Sequence, residues 1–188
     1  FAGFVFYPPS ARSLRPDLAA GLVARLPAHV ASVGVTVDPS DAELDAILAE
    51  VPLDVIQLHG AETPERVASV ALRTGCRVMK AIRVEAADDL ATLGAFATVA
   101  DLILFDAKPP RRPDAIPGGN GVAFDWAILA GLQVGRPWAL AGGLTAENVA
   151  AAVARVAPPI VDVSSGVELR PGVKDPVRLD AFFTALRS

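Results

Sequence analysis

The fold is decided by the stretch Pro159-Ile-Val-Asp162-Val-Ser-Ser-Gly166-Val-Glu168, together with Ala139-Leu-Ala-Gly142-Gly-Leu-Thr145. In both, a short apolar strand runs directly into residues with small side chains. Small side chains leave main-chain N–H groups accessible to an anion, and serine hydroxyls add further donors. Either turn alone equally indicates a tight strand-to-helix connection. Their shared position, at the ends of the last two strands of a repeating pattern, favours a phosphate site formed by Gly142, Gly143, Ser164, Ser165 and Gly166.

The repeating pattern is an alternation of apolar strands and helices along the whole chain. Most strands are apolar on both faces, which is typical of parallel sheets covered on both sides. The seven predicted strands are 2–7, 30–37, 54–58, 77–82, 101–105, 137–141 and 160–163. Asp38-Pro39, Thr63-Pro64 and Asp175-Pro176 each place a capping residue before a proline that can start a helix. The predicted helices are 16–26, 39–49, 64–74, 85–94, 145–156 and 176–186, with a shorter one after Phe124-Asp125-Trp126.

This alternation is compatible with an open doubly wound sheet or with a closed (β/α)8 barrel. The sequence has neither a GxGxxG after its first strand nor a P-loop, the commonest ligand signatures of the open sheet. Phosphate loops after the last two strands favour the barrel. A barrel has eight strands, whereas seven are predicted here, and the chain opens on an apolar strand at Phe1. We therefore expect one barrel domain over residues 1–188 that lacks its first βα unit, on the order of 30 residues.

The composition excludes several classes of function. A net charge of −4 without a basic block argues against nucleic acid as a partner. No apolar run reaches the length that spans a membrane. A single cysteine, Cys76, allows no intrachain disulfide and fits a reducing compartment, so we expect a cytoplasmic protein. Because His, Cys and carboxylate residues do not cluster at ligand spacing, we expect no metal.

Few polar residues fall at the carboxyl ends of the predicted strands, where a barrel keeps its active site. Asp106 is the sharpest candidate, since an apolar surrounding favours the protonated carboxyl that a general acid needs. It could equally cap the loop that follows it. Arg12 offers a planar fork matched to a carboxylate, unless it is a surface arginine.

The strand 54–58 contributes two further candidates. His59 could carry protons or form a hydrogen-bonding wall, and Gln57 is predicted to point into the barrel as a polar packing group. The segment Pro117-Gly-Gly-Asn-Gly121 is interpreted as a flexible flap in a long loop. Cys76 and His29 come at the starts of strands, which places them on the face opposite the candidate site.

Six motifs in one order, spread over the whole chain, resemble a known family. They are Gly3-Phe-Val-Phe-Tyr-Pro8 with Ser10 and Arg12, Val55-Ile-Gln-Leu-His-Gly60, Leu104-Phe-Asp-Ala-Lys-Pro109, Gly118-Gly-Asn-Gly121 with Phe124-Asp-Trp126, Ala141-Gly-Gly-Leu144 with Glu147-Asn-Val149, and Val161-Asp-Val-Ser-Ser-Gly-Val-Glu168. Together they resemble phosphoribosylanthranilate isomerase of tryptophan biosynthesis. The family is a (β/α)8 barrel that needs no cofactor. It converts N-(5′-phosphoribosyl)anthranilate to 1-(2-carboxyphenylamino)-1-deoxyribulose 5-phosphate by an Amadori rearrangement.

The resemblance implies a role for each candidate. Asp106 would be the general acid that protonates the ribose ring oxygen, and Arg12 would hold the anthranilate carboxylate. Gly142, Gly143, Ser164, Ser165 and Gly166 would hold the phosphate of this small-molecule substrate, with Asp162, His59 and Gln57 in supporting or substrate-binding roles. Asp125 is interpreted as a helix cap. We expect a monomer or a homodimer.

One family feature does not occur in this sequence. The family's general base is a cysteine in a Lys-Ile-Cys-Gly motif on the first strand, and that strand falls in the unit expected to be missing. One alternative is therefore an incomplete barrel that binds phosphorylated ligands without turnover. Another is an isomerase of a different phosphoribosyl sugar, such as that of the histidine pathway, although the Arg12 carboxylate site and the single phosphate site argue against it.

Overall fold

Seven parallel strands form one sheet in a computed structural model that describes residues 1–109, 118–119, 121 and 123–187. The strands pair in chain order, so each neighbours the next along the sequence. They are β1 (Ala2–Val5), β2 (Ser32–Thr36), β3 (Val55–Leu58), β4 (Arg77–Val84), β5 (Leu102–Ala107), β6 (Trp138–Leu140) and β7 (Ile160–Val161). All seven predicted strands are confirmed.

Helices connect successive strands and cover the outer face of the sheet. They are α1 (Pro16–Val23), α2 (Asp41–Glu50), α3 (Pro64–Thr74), α4 (Leu93–Val99), α5 (Val149–Val156) and α6 (Pro176–Arg187). Single 3₁₀ segments occupy Ala87–Thr92, Trp126–Leu129 and Ser165–Val167. An antiparallel hairpin of β8 (Glu168–Arg170) and β9 (Val173–Lys174) precedes α6. This hairpin was not predicted from the sequence.

The two faces of the sheet follow the two-residue period of a strand. Along β3, Val55 and Gln57 face inward, whereas Ile56 and Leu58 face the helices. The inward set forms a core of its own, made of Val33, Val55, Met79, Ala81, Leu102, Leu104, Ala139 and Ala141. Because inward residues of the two outermost strands, such as Val5 and Ile160, line the same cavity, the sheet is curled rather than flat.

The observed N-terminus of α2 differs from the predicted one. Ser40, not Asp38, is the N-cap: its hydroxyl accepts from the Glu43 N–H at 3.3 Å, and the Glu43 carboxylate accepts from the Ser40 N–H at 2.8 Å. The Asp38 carboxylate is engaged elsewhere, since it accepts from the Ala61 N–H at 2.7 Å. The helix therefore begins two residues beyond Pro39.

The predicted helix over 85–94 is also displaced. It begins as a 3₁₀ segment and continues as α4 to Val99. Gly94 does not end it, because this residue lies within α4 and does not have the positive φ that is typical of a glycine at a helix C-terminus. An isolated glycine on an open helix face lowers helix stability by about 1 kcal/mol without terminating the helix.

The two outer strands leave the sheet unclosed within the described part of the chain. β7 pairs with β6, and β1 pairs with β2 and makes one isolated bridge between Val5 and Ser13. The architecture is thus a curled, partly closed barrel of seven strands. In the described residues no helix has the length and apolarity needed to cross a membrane.

Candidate active site

A cavity of about 640 Å³ lies inside the curled sheet and extends to the carboxyl ends of the strands. It brings together nine of the ten predicted site residues, namely Arg12, Gln57, His59, Asp106, Gly142, Gly143, Asp162, Ser164 and Ser165. The tenth, Gly166, is not part of the lining but lies against the backbone of the lining residue Leu144. The inward register of β3, β5, β6 and β7 explains this convergence, because each strand directs alternate residues to the cavity.

His59 and Asp106 form a buried pair at the mouth of the cavity. His59 Nε2 lies 3.0 Å from Asp106 Oδ2, and both side chains are 8% exposed. Asp106 Oδ2 can accept a hydrogen bond from an Nε2 proton whether the carboxyl group is ionised or carries its own proton on Oδ1. With that proton on Nε2, Nδ1 is the acceptor for the Gln57 amide at 2.9 Å. Gln57 thereby fixes the ring so that it faces Asp106.

Glycines allow the backbone to approach Asp106 closely on two sides. A Cβ at Gly142, where φ is +87°, would lie 2.7 Å from the Ala107 nitrogen and 3.1 Å from Asp106 Oδ1. A Cβ at Gly118 would lie 3.2 Å from Asp106 Oδ2 and 3.0 Å from His59 Cε1. Gly118 belongs to the segment predicted as a flap, of which Pro117 and Asn120 lie outside the described residues.

Only one edge of the Arg12 guanidinium is available to the cavity. Its Nε and Nη2 donate to the two carboxylate oxygens of Glu168 at 2.9 and 2.7 Å. The fork expected to bind a ligand carboxylate is thus occupied along that edge, and Nη1 points towards Gly119. A ligand carboxylate would meet the edge that includes Nη1. The sequence analysis gave Glu168 no role, although it directly follows the Ser-Ser-Gly-Val turn.

The two small-residue loops are held by side chains outside them. The Asn148 amide bridges the first loop, accepting from the Thr145 N–H at 2.8 Å and donating to the Gly143 carbonyl at 2.9 Å. In the second loop Lys174 Nζ donates to the Ser164 carbonyl at 2.8 Å and to its hydroxyl at 3.2 Å. Lys174 also lines the cavity and brings a positive charge that the sequence analysis missed.

Gly166 fixes the path of the second loop. A Cβ there would lie 1.9 Å from the Leu144 carbonyl oxygen, so only glycine fits without moving the first loop. The two loops therefore pack directly on each other. Their contact explains why the predicted phosphate residues, which come from different strands, reach one region of the cavity.

Asp162 supplies a second carboxyl group to the cavity. The side chain is surrounded by protein atoms but open to the cavity itself. Although Asp162 is exposed to the cavity, the surrounding protein atoms and the nearby negative charge of Asp106 raise the pKa of its carboxyl, and the charge of Lys174 opposes that rise. Asp162 therefore takes up a proton more readily than an ordinary aspartate.

The residues set aside in the sequence analysis lie away from the cavity. Cys76 Sγ donates to the Leu53 carbonyl at 3.3 Å at the amino end of β4, and His29 is exposed in a turn before β2. Asp125 accepts from the Ala127 N–H at 3.0 Å and so caps the 3₁₀ segment Trp126–Leu129, as predicted. Within the described ranges no group of three or more His, Cys, Asp or Glu residues could hold a metal ion.

The fold and the cavity define a class: α/β barrel enzymes whose active site lies at the carboxyl ends of parallel strands. The family model described as PRAI, N-(5'phosphoribosyl)anthranilate (PRA) isomerase, matches residues 1–185. An N-(5'-phosphoribosyl)anthranilate isomerase of Paracoccus denitrificans is 59% identical over 183 residues, covering 97% of this chain and 84% of that protein. The N-(5'-phosphoribosyl)anthranilate isomerase of Paramagnetospirillum magneticum is 52% identical over 187 residues, covering 100% of this chain and 86% of that protein.

Solved structures agree with the sequence relatives. Phosphoribosyl anthranilate isomerase from Thermotoga maritima superposes with a TM-score of 0.87 at 35% identity, covering 98% of this chain and 86% of that one. A phosphoribosyl anthranilate isomerase in complex with reduced 1-(o-carboxyphenylamino)-1-deoxyribulose 5-phosphate superposes with a TM-score of 0.83 at 34% identity, covering 98% of this chain and 86% of that one. The chain belongs to the N-(5'-phosphoribosyl)anthranilate isomerase family.

Proposed function

We propose that this chain converts N-(5′-phosphoribosyl)anthranilate to 1-(2-carboxyphenylamino)-1-deoxyribulose 5-phosphate in tryptophan biosynthesis. The observation that carries the proposal is a single cavity that holds an acid–imidazole pair, an arginine and two small-residue loops. These features match the three parts of the substrate, which are a ribose ring, an aromatic carboxylate and a phosphate.

Asp106 is the proposed general acid. Its proton passes to the ribose ring oxygen as the bond from that oxygen to C1 breaks, and the lone pair of the anthranilate nitrogen forms the C1=N bond. The carboxylate left behind is stabilised by hydrogen bonds from His59 Nε2 at 3.0 Å and from the Ala107 N–H at 2.9 Å. These donors are in place before the reaction, so they favour ring opening without rearrangement of the site.

The ends of the substrate have separate binding regions. Arg12 is proposed to bind the anthranilate carboxylate through the edge that Glu168 leaves open. Main-chain N–H groups of Gly142, Gly143 and Gly166, with the Ser164 and Ser165 hydroxyls, are proposed to bind the phosphate. The complex of the related isomerase supports this division, because its ligand carries a carboxyphenyl group at one end and a phosphate at the other.

The second half of the reaction removes a proton from C2, giving an enol that becomes the ketone. We propose that the base is the family's first-strand cysteine, on an eighth strand between β1 and β7. Two features support this. Inward residues of both edge strands border the cavity there, and the chain spans 84% and 86% of the lengths of the two relatives described above. An intact mass of the natural protein that exceeds 19.4 kDa by about 3 kDa would support the extra unit, and 19.4 kDa would overturn it.

The acid assignment is tested by Asp106→Asn in the natural full-length protein. We expect kcat to fall about 10²–10⁴-fold, the usual contribution of a general acid. Binding of the reduced product analogue should change far less, because the amide keeps the shape of the carboxyl group. Asp125→Asn is the matched control, since Asp125 only caps a 3₁₀ segment. Full activity of Asp106→Asn would contradict the assignment, and turnover of the histidine-pathway substrate instead would contradict the proposed substrate.

A further inference from the structure

Glu168 lies between the two ligand-binding regions of the cavity and joins them. It is the first residue of β8, and its side chain is only 4% exposed. Its carboxylate accepts from Arg12 Nε at 2.9 Å, Arg12 Nη2 at 2.7 Å, Lys174 Nζ at 3.1 Å and the Gly172 N–H at 3.3 Å. Although burial favours the protonated form, Arg12 and Lys174 hold the pKa of Glu168 below its ordinary value. The carboxylate is therefore charged while it pairs two cations.

On one side the carboxylate orients Arg12. An arginine side chain has several rotatable bonds, so an unpaired guanidinium would lose considerable conformational entropy on binding a ligand. The two parallel hydrogen bonds to Glu168 fix the plane of the guanidinium in advance. The hairpin turn supports the same loop, because a Cβ at Gly172 would lie 2.9 Å from the Ala11 carbonyl oxygen.

On the other side the carboxylate orients Lys174. The ammonium of Lys174 donates to Glu168 and also to the carbonyl and hydroxyl of Ser164. A continuous chain of polar contacts thus runs from the guanidinium of Arg12 through Glu168 and Lys174 to the second small-residue loop. Arg12 and Ser164 come from loops at opposite ends of the sequence, and this chain fixes their separation.

We propose that Glu168 is a positioning residue: it aims Arg12 at the substrate carboxylate and, through Lys174, sets the distance from Arg12 to the phosphate loop. The inference rests on the proposed function, because it needs a substrate with a carboxylate at one end and a phosphate at the other. A negative charge beside an anion site repels the ligand. Its presence there is explained if orientation of the two cations outweighs that repulsion.

The substitution Glu168→Gln distinguishes repulsion of the ligand from orientation of the two cations, because the two effects change ligand affinity in opposite directions. If Glu168 only repels the ligand, its neutralisation strengthens binding of the reduced product analogue. If Glu168 positions Arg12 and Lys174, affinity for the analogue falls about tenfold or more, as when one partner of a buried charge pair is lost. KM should rise by a similar factor with a smaller change in kcat. Unchanged or tighter binding by the folded variant overturns the proposal.

A double-mutant cycle tests whether Glu168 acts through Arg12. Arg12→Met should weaken analogue binding, and adding Glu168→Gln should then weaken it by a smaller factor than Glu168→Gln does in the wild type, because only the part that acts through Lys174 remains. Independent, additive losses overturn the proposal. Asp17→Asn is the matched control, because Asp17 also pairs with an arginine, Arg15, but on the exposed surface. The affinity of the Asp17→Asn variant for the analogue should equal that of the wild type.

Lys174→Met keeps the test decisive if Glu168→Gln does not fold. This variant leaves the Arg12–Glu168 pair intact and removes the link to Ser164, so both inorganic phosphate and the analogue should bind more weakly. Unchanged binding of both overturns the proposal. If the wild type itself fails to bind the analogue, the proposed function is wrong. If the wild type and Glu168→Gln bind it equally, only the role of Glu168 is wrong.

Discussion

Two buried glutamates, Glu62 and Glu168, pair with cations on opposite faces of the sheet. Glu62 binds Lys80 Nζ at 2.6 Å behind the sheet, where the two side chains are 2% and 4% exposed. Glu168 is equally buried, but its partners Arg12 and Lys174 are 12% and 43% exposed and border the cavity. The first pair is enclosed in the sense that both side chains are almost fully buried, whereas the second presents its cations to the cavity inside the sheet.

The hydrogen-bond partners show what each pair does. Glu62 accepts from the N–H groups of Asp38 and Gly60, and Lys80 donates to the carbonyls of Leu58 and Gly60. Every one of these partners is backbone at the end of β3 or in the loop after β2. The Glu62–Lys80 pair therefore holds the chain on both sides of His59. It stabilises the site indirectly, whereas the Glu168 group is proposed to take part in binding.

The largest expected effect on stability comes from Lys80→Met. Although burial opposes ionisation of Glu62, the Lys80 ammonium and the backbone donors lower its pKa. Removal of Lys80 would leave that carboxylate buried without its cation, at a cost of about 3–5 kcal/mol in the free energy of unfolding. Urea denaturation measures the loss. Lys174→Met should cost about 1 kcal/mol or less, because this lysine is partly exposed.

The double variant Lys80→Met/Glu62→Gln tests the explanation. It removes both charges, so a substantial part of the lost stability should return. If Lys80→Met and Lys174→Met destabilise the protein equally, the contrast between an enclosed and a cavity-facing pair is wrong.

Residue order along the chain was sufficient to predict the seven strands and the strand ends at which the candidate site residues converge. Strands buried on both faces are recognisable as short apolar runs, and the carboxyl ends of parallel strands lie on one side of a sheet. Asp106, His59 and Gln57 follow from this reasoning alone. The ion pairs do not, because Arg12 and Glu168 are 156 residues apart in sequence and their contact depends on tertiary packing.

Two features of the sequence indicate a buried cation and a turn, but they do not identify the ion pair or the hairpin that the structure contains. A lysine within the apolar strand Arg77–Val84 indicates a buried cation, yet nothing local identifies Glu62 as its partner. Pro171-Gly172 indicates a turn, but strands as short as β8 and β9 show no alternation that would predict a hairpin. Lys174 reaches the cavity only because that hairpin folds back. Hydrophobic periodicity in the sequence therefore could not predict that Lys174 lines the cavity.

An intermediate case between the enclosed and exposed pairs is Asp89, whose side chain is 18% exposed. Partial burial favours its protonated form, but hydrogen bonds from Lys108 and from the N–H groups of Ala86 and Glu85 lower the pKa of Asp89 to about 2. A depressed carboxyl pKa stabilises the fold above the unfolded value of 3.8 and loses that contribution as the pH falls towards 2. We expect Asp89→Asn to lose about 1 kcal/mol at neutral pH, allowing for solvent screening.

The pH dependence distinguishes this electrostatic effect from lost packing. The stability difference between wild type and Asp89→Asn should shrink between about pH 4 and pH 2 and vanish at the acid end. Chemical denaturation at several pH values measures it. A difference that stays constant over this range would mean that ionisation of Asp89 contributes nothing.

The smallest effect is expected at the exposed pair of Arg73 and Asp45, which joins α3 to α2. Their side chains are 41% and 55% exposed, so water and salt screen the attraction and both chains lose rotamer freedom when they pair. Asp45→Asn should shift the melting temperature by no more than about 1 °C, and added salt should reduce that small difference further. Thermal melts at low and high ionic strength provide the measurement. A shift as large as that of Lys80→Met would mean that enclosure does not determine which ion pairs hold this fold together. A negligible shift would leave burial of both partners as the property that separates the Glu62–Lys80 pair from a surface contact of similar geometry.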